Sequence, residues 1–212
     1  MTIGKNMAIS AAILGIFAIV GTAMVAFTNE TTSGQVAANK RAYTLSKLHE
    51  IISPKAHDND LESDTIKVTD SRLGSDKPMV VYRARMHGKP IAAIIQTIAP
   101  DGYSGNIEML VGIRTDGNLL GVRVTDHQET PGLGDNIDIR KSNWIRQFEN
   151  KSLSNPTPAN WKVKRDGGAF DQITSATISS RAVTKAVYNT LQYFKQHHAD
   201  LFKPEVAHEP VQ

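Results

Sequence analysis

Near the N-terminus, the segment "MAISAAILGIFAIVGTAMVAF" (Met7–Phe27) contains no charged residue. Its length matches that of a helix crossing a bilayer, which takes about 20 apolar residues. A cleaved signal peptide is the alternative, but the apolar core of such a peptide is usually about 7–15 residues long and precedes a small-residue cleavage site. This segment is longer, and no convincing A-x-A site follows it. The sequence therefore predicts a retained transmembrane anchor.

The charges around this segment predict its orientation. Lys5 precedes it and Glu30 follows it closely. Lys40 and Arg41 lie further downstream and weaken this difference in charge between the two ends of the segment. Positive charge favours the cytoplasmic side, so we expect a cytoplasmic N-terminus and the remainder outside. No second span is predicted, so this chain alone is not expected to form a channel. The expected organisation is an anchor over 1–28, a juxtamembrane helix and linker over 29–60, a folded domain over 61–203 and a tail over 204–212.

Strand patterns dominate the middle of the chain. Asp116-Gly117 is a dipeptide typical of a tight hairpin turn between two apolar runs, and "WKVKRDGG" (Trp161–Gly168) is a candidate edge strand. The four predicted strands, which together would form an antiparallel meander, are Pro78–Arg85, Ile91–Ala99, Ile107–Ile113 and Leu119–Thr125.

Helical patterns lie on both sides of this β region. Residues 29–40 suit either a linker or the start of a helix, and a helix is predicted over Val36–Ile52, ended by Pro54. A short helical piece is expected at Asn143–Phe148 and a final helix from about Ser180 to His198. One face of that last helix is lined by mostly apolar residues: Val183, Val187, Thr190, Leu191 and Phe194. The predicted class is α+β, with one transmembrane helix followed by an antiparallel sheet flanked by helices.

Composition narrows the chemistry. The chain has no cysteine, which excludes disulfides, thiolate metal sites and a cysteine nucleophile. A net charge of +3 is too small to indicate a nucleic-acid partner. His127 and Glu129 are metal-ligating types, but no third residue follows at a telling spacing, so no metal is predicted.

Two glycine-containing loops adjoin the predicted strands. "DGYSGNI" (Asp101–Ile107) places Tyr103 and Ser104 between glycines, and on its own it is more typical of a plain turn. "DHQETPGLGDNI" (Asp126–Ile137) is a rigid polar loop at a strand end, suited either to a small-molecule site or to a solvated connection. Its candidate binding residues are Glu129, Thr130, Gly132, Leu133 and Gly134.

Hydroxyl residues crowd the segment "DQITSATISSRAV" (Asp171–Val183) just before the last helix. Ser179 or Ser180 is expected to cap that helix. Thr177 lies just before the expected cap, where free N–H groups and the helix dipole favour an anion. A phosphate at Thr177 is therefore physically reasonable, and the residues alone carry the inference no further.

Three motifs resemble those of covalent FMN-binding domains. "TSATISS" resembles the [S/T]-G-A-T attachment motif, "HQETPGLGD" a second signature and "DGYSGNI" a third. With the lone N-terminal anchor and this length, the chain resembles the RnfG (RsxG) subunits of the Rnf ion-translocating electron-transport complexes. The related NqrC subunits of the sodium-pumping NADH:quinone reductase share the motifs but are usually longer.

The resemblance implies a redox role for specific residues. In that family a flavin transferase uses FAD to join FMN, through its phosphate, to the last threonine of the motif, here Thr177. Asp171 matches the acidic residue of the transferase recognition pattern, and Thr174 and Ala176 also match, whereas Ser175 stands where the family most often has glycine. The resemblance further implies that the flavin is faced by Glu129, Thr130, the turn Gly132–Leu133–Gly134 and the loop at Tyr103 and Ser104.

The function implied is electron relay through covalent FMN in an Rnf-type ferredoxin:NAD oxidoreductase coupled to ion translocation. The chain would act as a redox subunit of this translocase, with no catalytic residues of its own, alongside the other subunits of the complex. It would lie in the bacterial inner membrane with a periplasmic FMN-binding domain over 61–203. The alternatives are an NqrC-like component of the sodium-pumping reductase and an FMN-binding regulatory module. A minor pilin is an alternative of another class. It would have a glutamate early in its apolar segment, and the segment Met7–Phe27 contains no acidic residue.

Overall fold

The computed structural model describes residues 2–203, apart from the side chains of residues 2, 3, 37 and 40. The predicted tail over 204–212 lies outside the described residues. The chain divides into two compact units, Met1–Thr44 and Leu45–Gln212. A first helix, α1 (Thr2–Ile51), supplies all the described part of the first unit and begins the second.

The first unit is helical throughout its described residues, including residues 29–40, for which the sequence left a linker or a helix open. Its apolar side chains from Met7 to Phe27 are exposed, and an 18-residue window of the helix has a mean hydropathy of 2.3 with none of it buried. A helix this apolar with no packing partner within its unit has the length and composition to cross a membrane.

The second unit is built on one five-stranded antiparallel sheet in the order β1-β2-β3-β4-β5. Four of the strands confirm the predicted meander, and the first, β1, went unpredicted. The bounds are β1 Thr65–Asp70, β2 Ser75–Met86, β3 Lys89–Ala99, β4 Ile107–Arg114 and β5 Leu119–Asp126. Each consecutive pair is a hairpin or a short loop connection, so the whole sheet forms from neighbours in sequence.

Both faces of the sheet are covered, which is why β3 is a nearly continuous apolar run. Ile95 belongs to the core under the last helix, α2 (Thr177–Leu201), together with Val183, Val187 and Leu191. Ile94, one residue away and on the opposite face, packs in a second core with Leu48 of α1. This alternation follows from the two-residue repeat of a strand.

The connection from β5 to α2 has little regular structure. A short 3-10 helix at Trp144–Phe148 confirms the predicted helical piece. The predicted edge strand at Trp161–Gly168 is wrong, because this stretch forms only an isolated bridge between Val163 and Phe170 around a 3-10 turn at Lys164–Asp166. Aromatic packing holds it instead, with the Trp161 and Phe170 ring centroids 4.7 Å apart.

The last helix is longer than predicted at both ends. All five side chains predicted for its apolar face are buried. The expectation that Ser179 or Ser180 caps it is wrong, because the helix begins at Thr177 and its N-cap position is Ala176. Both serines lie in the first turn, where their hydroxyls have other partners.

Candidate functional site

The predicted site residues converge on one cavity of about 530 Å³ at the N-terminal end of α2. Three chain segments far apart in sequence meet there: the β3–β4 loop, the loop that follows β5, and the turn that leads into α2. Among the predicted residues, the cavity lining includes Tyr103, Glu129, Thr130, Leu133, Gly134, Thr174, Ser175, Ala176 and Thr177. Ser104, Gly132 and Asp171 do not line it.

Glu129 joins the three segments. It is only 4% exposed. Its Oε1 atom accepts a hydrogen bond from the backbone N–H of Ser104 (3.1 Å), and its Oε2 atom accepts one from the hydroxyl of Ser179 (2.5 Å). A buried carboxylate needs such donors, because leaving it unpaired away from water is costly. Ser104 thus contributes to the site through its backbone.

Two glycines allow this carboxylate to sit where it does. A Cβ atom at Gly102 would lie 2.2 Å from the Gly105 carbonyl oxygen and 2.9 Å from Glu129 Oε1, and one at Gly134 would lie 2.7 Å from Glu129 Oε2. All three distances are too short for real contacts, so a side chain at Gly134 would displace the carboxylate and one at Gly102 would displace both the carboxylate and the loop backbone. Gly132 has a different role: its φ of 76° provides the turn between Pro131 and Leu133.

The N-terminus of α2 opens toward the cavity without a cap. In an α-helix the first N–H groups have no intrahelical acceptor, and among the described residues no side chain supplies one at Ala176. The Ser180 hydroxyl is engaged in the turn itself, since it accepts from Ile173 N–H (3.0 Å) and donates to the Ala176 carbonyl (2.9 Å). Free N–H groups and the positive end of the helix dipole therefore face the cavity beside Thr177.

Thr177 is partly exposed, and Thr174 and Ser175 are exposed at the rim. Asp171 lies outside the cavity with its side chain 67% exposed and its carboxylate 2.7 Å from Lys164 Nζ. Its backbone is fixed, because the Asp171 carbonyl accepts from Trp144 Nε1 (2.6 Å) and its N–H donates to Gln147 Oε1 (2.7 Å). The acidic side chain is thus presented to solvent near the threonine turn.

Three lining residues were missed by the sequence analysis: Arg165, Ile178 and Ser179 as a cavity residue. Ile178 stands beside Tyr103 and Leu133 as a large hydrophobic side chain left exposed, at 46%, 68% and 44% respectively. No local signal pointed to Arg165, which lies in the 3-10 turn where the sequence predicts a strand.

The end of the loop after β5 is held by an ion pair in which the carboxylate is buried and the arginine is exposed. Asp138 is 2% exposed and accepts hydrogen bonds from the Arg140 backbone N–H (2.9 Å) and from Arg140 Nε (2.8 Å). Burial raises the pKa of Asp138, but the hydrogen bonds and positive charge of Arg140 outweigh it and hold that pKa below the usual value. The carboxylate therefore stays ionised at neutral pH and accepts the hydrogen bonds of Arg140.

Comparison with known proteins agrees with this geometry. The family model described as "FMN-binding domain" matches residues 102–192, which contain the whole cavity, and the one described as "RnfG N-terminal region" matches residues 1–51. By fold and site, the molecule is thus an FMN-binding domain carried on an N-terminal apolar helix.

Curated relatives identify the family. The G subunit of the ion-translocating oxidoreductase complex of Shewanella baltica is 47% identical over 90% of this chain and 90% of its own length. The corresponding G subunit of Pseudomonas aeruginosa is 45% identical over 96% and 95%, respectively. The chain belongs to this family, the RnfG subunits of the ion-translocating oxidoreductase complexes. A more distant solved structure, NqrC of Shewanella oneidensis, has a TM-score of 0.48 and 20% identity over 70% of this chain and 76% of that one.

Proposed function

We propose that this chain is a flavoprotein subunit that relays electrons through FMN within an Rnf-type ion-translocating oxidoreductase complex. The relatives' shared name and the FMN-binding match support the assignment. The relatives' name and the match of residues 1–51 to the RnfG N-terminal region favour it over the NqrC-like and regulatory alternatives. The apolar part of α1 anchors the chain in a membrane. Other subunits of the complex are its partners.

The residues of the cavity fit FMN, which has a phosphate at one end and a flat, largely apolar ring system at the other. The uncapped N-terminus of α2 suits the phosphate. The exposed side chains of Tyr103, Leu133 and Ile178 suit the ring, because contact with it would remove their apolar surface from water. Bound FMN supplies the redox chemistry, and this chain orients it and sets its surroundings.

We further propose that FMN is attached covalently at Thr177 by a flavin transferase that uses FAD. The Thr177 hydroxyl oxygen would bond to the phosphorus of the FMN half, the pyrophosphate bond would break and AMP would leave, with the hydroxyl proton passing to solvent. The observation that carries this proposal is the position of Thr177, the first helical residue, at the cavity and beside the free N–H groups. The transferase would recognise the exposed side chain of Asp171.

The attachment site is tested by expressing the full chain with a flavin transferase and scanning a denaturing gel for flavin fluorescence. We expect a fluorescent band for the wild type and for Thr177→Ser, which keeps the hydroxyl, and a dark band for Thr177→Ala. Thr157→Ala is the matched control, because Thr157 is exposed and does not belong to the cavity lining. A fluorescent band for Thr177→Ala would show that FMN is attached at another residue. A dark band for the wild type would argue against covalent linkage.

We also propose that the anchor lies in the bacterial inner membrane with the N-terminus in the cytoplasm and the FMN domain in the periplasm. Lys5 before the apolar stretch and Glu30 after it support this orientation. Protease added to spheroplasts should digest the domain, whereas protease added to inverted membrane vesicles should leave it intact. Digestion only in inverted vesicles would contradict the orientation.

A further inference from the structure

Arg165 is the one basic residue in the lining of the cavity at the N-terminus of α2. Glu129 is the one acidic residue there, and the two do not form an ion pair within the described part of the chain. Both oxygens of Glu129 are already bonded, to Ser104 N–H and to the Ser179 hydroxyl. Arg165 is thus an exposed cation in the lining, and it forms no ion pair with the acid of that lining.

The backbone around Arg165 is fixed by hydrogen bonds from the Lys164 N–H to the Phe170 carbonyl (2.7 Å) and from the Gly167 N–H to the Lys164 carbonyl (3.0 Å). Exposed ion pairs of the two neighbouring residues flank it. On one side, Lys164 Nζ lies 2.7 Å from Asp171. On the other, Asp166 accepts two hydrogen bonds from Arg181 of α2, at 2.6 and 2.5 Å. The Arg181 guanidinium also holds the pKa of Asp166 below its usual value, so this carboxylate stays ionised near neutrality. The turn closes at Gly167, whose φ is 79°.

The side chain of Arg165 is the exception in this network. Its backbone N–H donates to Gln172 Oε1 (3.3 Å), whereas within residues 2–203 its guanidinium makes no hydrogen bond or close ion pair and acts on Asp166 only through its charge, which helps to lower the pKa of that carboxyl. Nearby cations are committed elsewhere: Arg181 bonds Asp166, and Lys185 Nζ lies 2.6 Å from Asp101. A long cationic side chain on a fixed turn, beside free helix N–H groups, is arranged for an anionic ligand.

We propose that Arg165 is a positioning residue for the flavin: its guanidinium donates to the phosphate ester oxygens at Thr177. This inference rests on the proposed function. The planar guanidinium can donate two parallel hydrogen bonds to a phosphate, which lysine cannot do with one ammonium group. Together with the helix N–H groups, Arg165 would hold the phosphate and restrict the rotation of the attached cofactor.

The variants are Arg165→Gln, which removes the positive charge, and Arg165→Lys, which keeps the charge but cannot donate two parallel hydrogen bonds. Lys195→Gln is the matched control, since it removes one exposed positive charge near the other end of α2. All are made in the full chain in detergent. One arm measures the initial rate of covalent labelling with FAD and purified transferase. The second uses protein labelled to completion and records the ³¹P resonance of the phosphodiester and the fluorescence anisotropy of the flavin.

We expect Arg165→Gln to slow labelling about fivefold, less than a fully buried charge-assisted hydrogen bond would give because the side chain is exposed. On labelled protein it should shift the ³¹P resonance and lower the anisotropy. Arg165→Lys should restore part of each effect, and Lys195→Gln should match the wild type.

Unchanged ³¹P resonance and anisotropy in Arg165→Gln would overturn the inference. If only labelling slows, Arg165 contacts the transferase and not the phosphate, which also overturns it. A wild type that never becomes fluorescent would instead remove the covalent attachment on which the inference rests, so the two failures are distinguishable.

Discussion

At the scale of single residues, the site depends on a buried carboxylate. Glu129 is bonded to a loop 25 residues before it and to a helix 50 residues after it. This arrangement needs the absence of a side chain at Gly102 and Gly134 as much as it needs the donors. The glycines of both loops thus serve a close approach to Glu129 in addition to turning the chain.

Gly134→Ala tests that close approach. Its Cβ would lie 2.7 Å from Glu129 Oε2 and 2.9 Å from Glu129 Cβ, so the carboxylate must move and its hydrogen bond to Ser179 must lengthen. We expect a loss of about 2 kcal/mol in unfolding free energy, typical of an overpacked site, together with weaker flavin labelling. Melting curves and in-gel fluorescence measure the two effects.

Gly121→Ala is the control for that experiment. Gly121 lies in β5, and a Cβ there would meet its nearest atom, Arg123 Nη1, at an ordinary 3.4 Å. Labelling should stay at the wild-type level. Equal unfolding free energies and equal labelling of Gly134→Ala and Gly121→Ala would show that the structure accommodates a Cβ at Gly134 without loss of stability.

At the scale of elements, the last turns of α1 are fixed to the sheet by a buried arginine. Arg123 of β5 has a side chain that is 4% exposed, and it donates to the Glu50 carbonyl (2.9 Å) and to Glu50 Oε2 (3.1 Å). Close packing accompanies this link, since a Cβ at Gly112 would lie 2.2 Å from Ile51 Cγ2. The carbonyl that accepts from Arg123 belongs to the end of a helix, where carbonyls lack intrahelical donors.

Arg123→Met should therefore destabilise the domain. The variant removes donors from a carbonyl and a carboxylate while keeping most of the apolar volume, and we expect a loss of about 2 kcal/mol. Arg114→Met is the control, because Arg114 is exposed at the end of β4. Thermal melting of the full chain in detergent measures both, and equal melting temperatures would contradict a role for the Arg123–Glu50 link.

Elements with a strong local pattern were predictable, and those held by remote contacts were not. Ile91–Ala99 is almost entirely apolar, and Asp116-Gly117 turns tightly, so β3 and the β4–β5 hairpin followed from the sequence. The short strand β1 has only a brief alternation at Ile66 and Val68 and depends on pairing with β2. Trp161–Gly168 has strand-forming residues, but packing of Trp161 on Phe170 and the turn at Gly167 prevent its extension.

At the scale of the whole molecule, the end of α1 is part of the folded domain. Leu48, Ile51 and Ile52 are buried in the core that includes Ile94 and Leu110. Removing the anchor must therefore leave these residues in place, or one face of the sheet becomes exposed to water.

A truncated chain of residues 41–212 should be soluble and folded, whereas one of residues 53–212 should not be stable. Losing three buried aliphatic side chains removes about 5 kcal/mol, a large part of the usual stability of a domain. Leu48→Ala in the longer chain should lose an intermediate amount, about 3 kcal/mol. Circular dichroism and size-exclusion chromatography compare them, and a cooperative, monomeric 53–212 would contradict this packing.

The sequence by itself determined the anchor, the meander, the apolar face of α2 and the candidates around Thr177, because each depends on residues close together in the chain. The length of an apolar segment, two-residue alternation and helical spacing are local properties, and they can be recognised without knowledge of the fold. Tertiary structure decided which hydroxyl bonds Glu129, why α2 has no cap and how Arg165 reaches the cavity. Those outcomes depend on contacts between segments that are distant in sequence, and only the packed sheet and helix bring those segments together.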